Sequence, residues 1–280
     1  MAVRVRDVLT GTLGELRWEP TAKRVRAELA GRTILDSVDA RLVWEPRRVV
    51  PSYAVPVADL RAEPVPVAPA APADATVGLP LPEVSRQPVL DPSIPFEVHS
   101  TPGEAVRLEA GDASVAGFRP ADVDLSGWVV VDFDGPDTWY EEDEPVVSHP
   151  RDPFHRIDVL TSSRHVRLEL DGHLLAESTR PRLLFETLLP VRFYLPAEDV
   201  RCELRPSDTR TWCAYKGEAS YWSAVLGDTV VPDLVWSYPQ PRLDAEPVRD
   251  LLCFFDERVD VVLDGARRQR PVTPWSRPGS

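Results

Sequence analysis

A thiol and an amine lie three residues apart in the stretch 207–222, at Cys213 and Lys216. Lys216 is one of only two lysines in a chain that has thirty arginines. An amine can lose its proton and act as a base or a nucleophile, whereas a guanidinium group stays protonated. A nearby ammonium group also favours the thiolate form of a cysteine, which is the nucleophilic form. The pair therefore predicts either catalysis, with Cys213 as nucleophile and Lys216 as base, or an anion site with Lys216 as the cation.

The residues around this pair are typical of a small-molecule pocket, which has apolar walls and few polar groups. The candidate ligand-binding residues are Glu186, Tyr194, Asp208, Tyr215, Glu218, Tyr221, Trp222 and Trp236. The alternative is structural, because free cysteines and strand aromatics are often core residues. A cavity that touches Cys213, Lys216 and Trp222 would favour the pocket. A buried Cys213 with a solvent-facing Lys216 would favour the structural role.

A second group of polar residues lies in the segment 149–158. His149, His155, Asp152 and Asp158 are all possible metal ligands. Two prolines within the segment make it rigid and irregular, so these side chains do not obviously converge. We therefore predict no metal site and no cofactor.

An internal repeat organises the chain. Residues 25–45 and 166–186 are identical at nine of twenty-one positions without a gap. Both copies show apolar residues at alternate positions, separated by turn residues, which is typical of short strands. The sequence therefore predicts an all-β protein built from two tandem copies of a small domain, each with at most one short helix.

The two copies differ at the reactive positions. His99 and Pro102 stand opposite Cys213 and Lys216, while the glycine that follows is kept as Gly103 and Gly217. What both copies share is what a common fold needs. We therefore expect any working site to lie in the second copy.

The predicted boundaries follow from composition. The first copy spans 1–145 with a Pro/Ala-rich insertion at about 64–93, the second copy spans 146–266, and 267–280 is a polar tail. We expect the insertion to run over the surface as a flexible segment. A short helix is predicted to begin at Pro247 and to lead into a last strand at 253–255.

Charge and hydropathy exclude two classes of partner. A net charge of -13 without a local basic stripe argues against nucleic acid. No apolar run approaches the about 18 residues that a membrane-spanning helix needs, and the start has no apolar signal core, so we expect a cytoplasmic protein without a membrane partner. Three widely spaced cysteines give neither a disulfide framework nor a structural zinc pattern. The expected partner is a small molecule, and no oligomeric state is predicted.

The run from Arg205 to Trp222, together with Tyr194–Pro196 and Trp236–Pro239, resembles the signature of domain-of-unknown-function family 427, which is sometimes labelled nucleotidyltransferase-like. Apart from the Pro/Ala-rich insertion and the tail, the chain resembles the tandem actinobacterial kind of that family. The resemblance implies small all-β domains, similar to a β-tent in which two sheets meet at an angle, and it implies no demonstrated activity. Copy one departs from the signature at His99 and Pro102.

These observations predict a small-molecule-binding or catalytic β domain, with its pocket in the second copy around Cys213, Lys216 and Trp222. A nucleotide or another anionic metabolite is the expected ligand. The alternative is a non-catalytic scaffold or accessory protein whose two copies form an interaction surface. The sequence leaves open whether the protein is an enzyme.

Overall fold

The computed structural model describes residues 2–68, 78–81, 84–85, 87–90 and 94–276, and it divides into two compact units, Met1–Asp152 and Pro153–Ser280. Strands dominate both units, and the helices are few and short. The predicted all-β fold with two β domains is confirmed. None of the helices in the described ranges has the length and hydropathy that crossing a bilayer requires.

The first unit begins with helix α1 (Val5–Gly11) and has short 3-10 helices at Val57–Asp59 and Val123–Leu125. Its strands are β1 (Arg17–Thr21), β2 (Val25–Leu29), β3 (Arg32–Ser37), β4 (Ala40–Trp44), β5 (Ser52–Pro56), β6 (Pro64–Pro66), β7 (Gly78–Leu79), β8 (Val89–Leu90), β9 (Gly103–Ala110), β10 (Ala113–Pro120), β11 (Trp128–Val131), β12 (Thr138–Glu141) and β13 (Glu144–Val146).

The second unit has 3-10 helices at Ala197–Asp199, Leu243–Val248 and Pro274–Ser276. Its strands are β14 (Ile157–Thr161), β15 (Val166–Leu170), β16 (His173–Ser178), β17 (Arg182–Glu186), β18 (Arg192–Leu195), β19 (Glu203–Cys213), β20 (Gly217–Leu226), β21 (Thr229–Ser237), β22 (Leu252–Phe254), β23 (Asp260–Leu263) and β24 (Ala266–Arg267).

The two units share one strand order. The large sheet of the first unit runs β1-β4-β5-β11-β10-β9-β6, and that of the second runs β14-β17-β18-β22-β21-β20-β19. The small sheets run β3-β2-β12-β13 and β16-β15-β23-β24. Position by position, each strand of the second unit therefore has a counterpart in the first.

Tight turns join the strands where the sequence predicts them. Asp171 and Gly172, between β15 and β16, have φ values of 49° and 82°. Two successive positive φ angles define the hairpin turn that matches the right-handed twist of the flanking strands. Ala30 and Gly31 have φ values of 50° and 71° at the corresponding turn of the first unit.

Strands β17, β18 and β22 of the large sheet in the second unit carry buried side chains on both faces. Alternate residues such as Leu183 and Phe193 join the small sheet in one core cluster. Their neighbours Leu184 and Tyr194 belong to a second cluster on the opposite face. The 3-10 helix Leu243–Val248 covers that face with Ala245 and Val248. Because side chains alternate along a strand, adjacent residues here serve different cores.

Three expectations about irregular segments need correction. Within the insertion, residues 69–77, 82–83, 86 and 91–93 lie outside the described residues, but β6 pairs with β9 and β7 pairs with β8. Val89 and Leu90 are buried, so the prediction of a surface segment is wrong for these residues. The helix predicted from Pro247 is instead a 3-10 helix that ends one residue later, and β22 is followed by two more strands.

The predicted tail also packs into the second unit. Thr273 is buried, and its hydroxyl donates a 2.6 Å hydrogen bond to Oε1 of Glu257. Glu257 accepts a two-pronged salt bridge from Arg192 at 2.8 and 2.7 Å. The predicted polar tail is therefore part of the second unit up to Ser276, and residues 277–280 lie outside the described residues.

Candidate functional site

A β-hairpin presents the two reactive residues. Cys213 ends β19, Ala214–Lys216 form the turn, and Gly217 begins β20. Gly217 has a φ of 95°, and a Cβ atom there would lie 3.2 Å from the carbonyl oxygen of Gln240. Both the conformation and the space therefore favour glycine. The predicted turn ending at Gly217 is present.

Lys216 is buried in an ion pair. Its Nζ donates a hydrogen bond of 2.5 Å to Oε2 of Glu186, and its side chain is 10% exposed. Burial would lower the pKa of Lys216, but the Glu186 carboxylate and the adjacent Cys213 thiol raise it above the ordinary value. The amine therefore stays protonated, and it is not available as a base or a nucleophile at neutral pH.

The Glu186 carboxylate lies between two donors. Its Oε1 is 3.0 Å from Nε2 of His155, whose ring stacks on Tyr215 with centroids 4.3 Å apart. Burial would raise the pKa of Glu186, but Lys216 and His155 lower it to about 2. We name Glu186, Lys216, His155, Tyr215 and Cys213 the Lys216 cluster. It ties the start of the second unit, the end of β17 and the hairpin together.

The cluster matches neither sequence-based alternative. Lys216 is not solvent-facing, and Cys213 is half-buried rather than sealed in the core. Asp208 and Glu218 are exposed on the hairpin and do not join the cluster. The structure thus brings together the thiol, the amine and the Glu186 carboxylate, and leaves two of the predicted acids in solvent.

The aromatic candidates divide between the two faces of the large sheet. Trp236 Nε1 donates a hydrogen bond of 3.1 Å to the Tyr194 hydroxyl oxygen. Both residues belong to the cluster on the face that the 3-10 helix Leu243–Val248 covers. Burial raises the pKa of Tyr194 well above its ordinary value, so its phenol stays protonated. Tyr221 packs against the same cluster. Trp222 packs in the core on the opposite face, so it cannot share a pocket wall with Lys216.

The metal-ligand candidates have other contacts. His149 Nδ1 lies 2.8 Å from the carbonyl oxygen of Pro150, and Asp158 pairs with Arg156 at 3.0 Å. Across the described ranges, no three His, Cys, Asp or Glu side chains form a group that could hold a metal ion.

A groove of about 400 Å3 opens elsewhere in the second unit, at a place that the motif does not reach. Its apolar lining includes Leu183, Phe185, Val191, Phe193 and Leu263. Phe193 is fully buried, whereas Phe185 is 39% exposed. We call this cavity the second-unit groove. It is built from the ends of β17, β18 and β23, which are far apart in sequence.

Three arginines complete the groove: Arg164, Arg267 and Arg268. The Arg268 guanidinium lies over the Phe193 ring, 5.5 Å from its centroid. Arg268 also lines a smaller cavity of about 30 Å3 with Asp256. Burial raises the pKa of Asp256 to about 7, although Arg192 opposes the shift.

The first unit carries polar partners where the groove is apolar. Strand register places Tyr53 opposite Leu42 and Phe193 opposite Leu183, at matching positions. By the same comparison Glu141 corresponds to Leu263. In the first unit the Tyr53 hydroxyl donates to Glu141 Oε1 at 2.8 Å and bridges the two sheets.

Larger side chains surround that bridge. Trp139 packs on Tyr53 with centroids 5.0 Å apart and stacks on Phe133 at 5.6 Å. Val146, at the position of Arg268, packs against the same core. At these positions the first unit therefore has packed aromatic and aliphatic side chains, whereas the second unit has Arg268 above the groove.

Sequence reasoning missed the groove because its residues are separated along the chain and none is chemically unusual. One signal was present in the repeat: the pair Tyr53 and Glu141 is replaced by Phe193 and Leu263. The loss of two hydrogen-bonding groups at one place indicates a changed environment there.

Residues 158–265 match the model of a family described as Domain of unknown function (DUF427). The match covers most of the second unit, and the first unit lies outside it. No curated protein matches the chain. The family description assigns no activity.

Proposed function

We propose that the chain is a tandem pair of related β modules, and that the second module binds a small anionic molecule in the second-unit groove. The observation that carries this proposal is the groove itself. Its volume of about 400 Å3 lies within the range of about 300–1,000 Å3 typical of ligand sites. Apolar walls with a few cationic groups are the usual composition of such sites.

The Lys216 cluster argues against amine chemistry. A catalytic lysine needs a neutral amine near physiological pH, whereas Glu186 keeps Lys216 charged and buried. Cys213 as a nucleophile stays a prediction. Ligand binding is therefore assigned to the groove, and the cluster is assigned to holding the hairpin in place.

A non-catalytic scaffold is the second candidate. The closed cluster favours it, because Lys216 and His155 both contact Glu186 and the module then keeps its hairpin fixed without a ligand. A scaffold of this kind would not require the groove to be filled.

Saturation-transfer NMR on the full chain distinguishes the two. The anions to be screened are adenosine triphosphate, aromatic carboxylates and short aliphatic acids. We expect at least one of them to bind the wild type, and Val191→Trp to abolish binding by filling the groove. The matched control Val230→Trp changes a valine that is 46% exposed on β21, outside the groove, and should leave binding unchanged. No binding to the wild type, or equal loss in both variants, would favour the scaffold.

A further inference from the structure

The cations of the groove are not equally available. Arg164 Nε donates to Asp264 at 2.6 Å. Arg267 Nη1 lies 2.8 Å from Asp260 Oδ2. Each of these guanidinium groups already has a carboxylate at contact distance, so each pair presents little net positive charge to a ligand.

Arg268 differs from its neighbours. Among the residues that the structure describes, no carboxylate lies at ion-pair distance from it, and its contact is with the face of Phe193. Asp256 acts on it only through the longer-range electrostatic attraction between them. The groove therefore offers one available guanidinium group, which lies over the Phe193 ring.

The apolar part of the groove defines the other half of the ligand. The partly exposed Phe185 ring lines the groove together with Val191 and Leu263. A flat apolar group can stack on such a ring and remove its exposed surface from water. A fully hydrated polar ligand would gain nothing from these walls.

We infer that the ligand of the second-unit groove, if the proposed binding function holds, is a carboxylic acid with one negative charge and a flat apolar body. The Arg268 guanidinium would donate two parallel hydrogen bonds to the carboxylate. The apolar body lies against Phe185 and Val191. Recognition therefore combines one bidentate charge contact with aromatic packing.

Charge balance argues against a nucleoside triphosphate. Several phosphate charges require several free cations, whereas the groove offers Arg268 alone. Asp260 and Asp264, beside the other two arginines, would repel a polyanion. A single carboxylate avoids this repulsion because it needs only one guanidinium group.

Isothermal titration of the full chain with naphthoate, naphthamide and adenosine triphosphate tests the inference. Naphthamide keeps the flat body and loses the charge. We expect naphthoate to bind at least tenfold more tightly than naphthamide, and Arg268→Gln to weaken naphthoate at least tenfold. The hydrogen bond from the Arg268 backbone N–H to the Val261 carbonyl persists in this variant, so the fold should be kept. Arg210→Gln, an exposed arginine on β19 outside the groove, is the matched control and should bind as the wild type does.

The outcomes separate the two proposals. If adenosine triphosphate binds in an Arg268-dependent manner and naphthoate does not, the carboxylate inference is overturned and the anion-binding function stands. Equal binding of naphthoate by wild type and Arg268→Gln also overturns the inference. If none of the screened anions binds, the proposed function itself fails.

Discussion

Glu45 and Glu186 occupy the same position in the two units, but their carboxylates have different hydrogen-bond partners. In the first unit, Oε1 of Glu45 lies 2.7 Å from Nδ1 of His99, and Oε2 accepts a 2.5 Å hydrogen bond from the backbone N–H of Ser100. His99 occupies the position that Cys213 has in the second unit.

In the second unit the donors come from elsewhere. His155 approaches Glu186 from the segment before β14, and Lys216 replaces the backbone donor. The buried carboxylate is thus constant, while its partners are interchangeable. An unusual residue in a repeat can therefore indicate a different solution to the same packing problem rather than a catalytic group.

The largest expected effect is on the stability of the second unit. Lys216→Met leaves Glu186 buried with His155 as its one remaining donor from the cluster, and removing one partner of a buried ion pair costs about 3–5 kcal/mol. Lys23→Met, at the other lysine, breaks a pair with Glu141 in which the lysine side chain is 44% exposed and should cost less than about 1 kcal/mol. Urea unfolding followed by tryptophan fluorescence and circular dichroism measures both.

A double variant shows whether the unpaired buried charge, rather than lost packing, causes the destabilisation. Lys216→Met combined with Glu186→Met removes both charges and should recover much of the lost free energy of unfolding. If Lys216→Met is no more destabilising than Lys23→Met, the assigned role of the Lys216 cluster is wrong.

A second effect should appear in the pH dependence of stability. Asp256 is the second residue after β22, and Phe133 holds the corresponding position after β11 in the first unit. The charged neighbours of Asp256 are Arg192, Glu257 and Arg268. Its pKa is about 7 when folded, against the ordinary 3.8. Between these values the folded state holds a proton that the unfolded state releases, so the free energy of unfolding should fall as pH rises from about 4 to 7.

Asp256→Asn should remove this slope. Measurements between pH 5 and 8 avoid the acid range in which Glu186, with its pKa of about 2, begins to lose stability as pH falls. Chemical denaturation at fixed pH steps gives the slope directly. An unchanged slope in the variant would show that another group titrates.

The smallest effect tests the groove comparison. The double variant Phe193→Tyr, Leu263→Glu gives the second unit the hydroxyl–carboxylate pair that the first unit has. Arg164 there stands at the position of Lys23. Leu263→Glu alone buries an acid without its tyrosine partner, so the double variant should be more stable than the sum of the single changes by about 1 kcal/mol. A double-mutant cycle from urea unfolding measures the coupling, and a value near zero would mean that the two positions do not face each other as their counterparts do.

Much of the fold follows from local patterns. The alternation in Val166 and Leu168 and the Asp171-Gly172 turn are local signals, and the structure contains both the strand and the hairpin. The Cys213–Gly217 turn is equally local. Such features need no knowledge of distant contacts.

The site depended on contacts that local patterns do not contain. Nothing near Lys216 in sequence indicates that Glu186 lies 2.5 Å away. Trp222 and Tyr221 are both predicted to wall the pocket, although adjacent strand residues point to opposite faces. Local patterns do not predict the groove either, because Phe193 and Arg268 come together only when the sheets assemble.

The hydrogen bond between Thr273 and Glu257 limits how far the chain can be shortened. The family match ends at residue 265, which would suggest a cut there. Such a cut would discard Arg268 from the groove and would leave the Glu257 carboxylate without its hydroxyl donor. A fragment intended to retain the second module should therefore extend at least through Ser276.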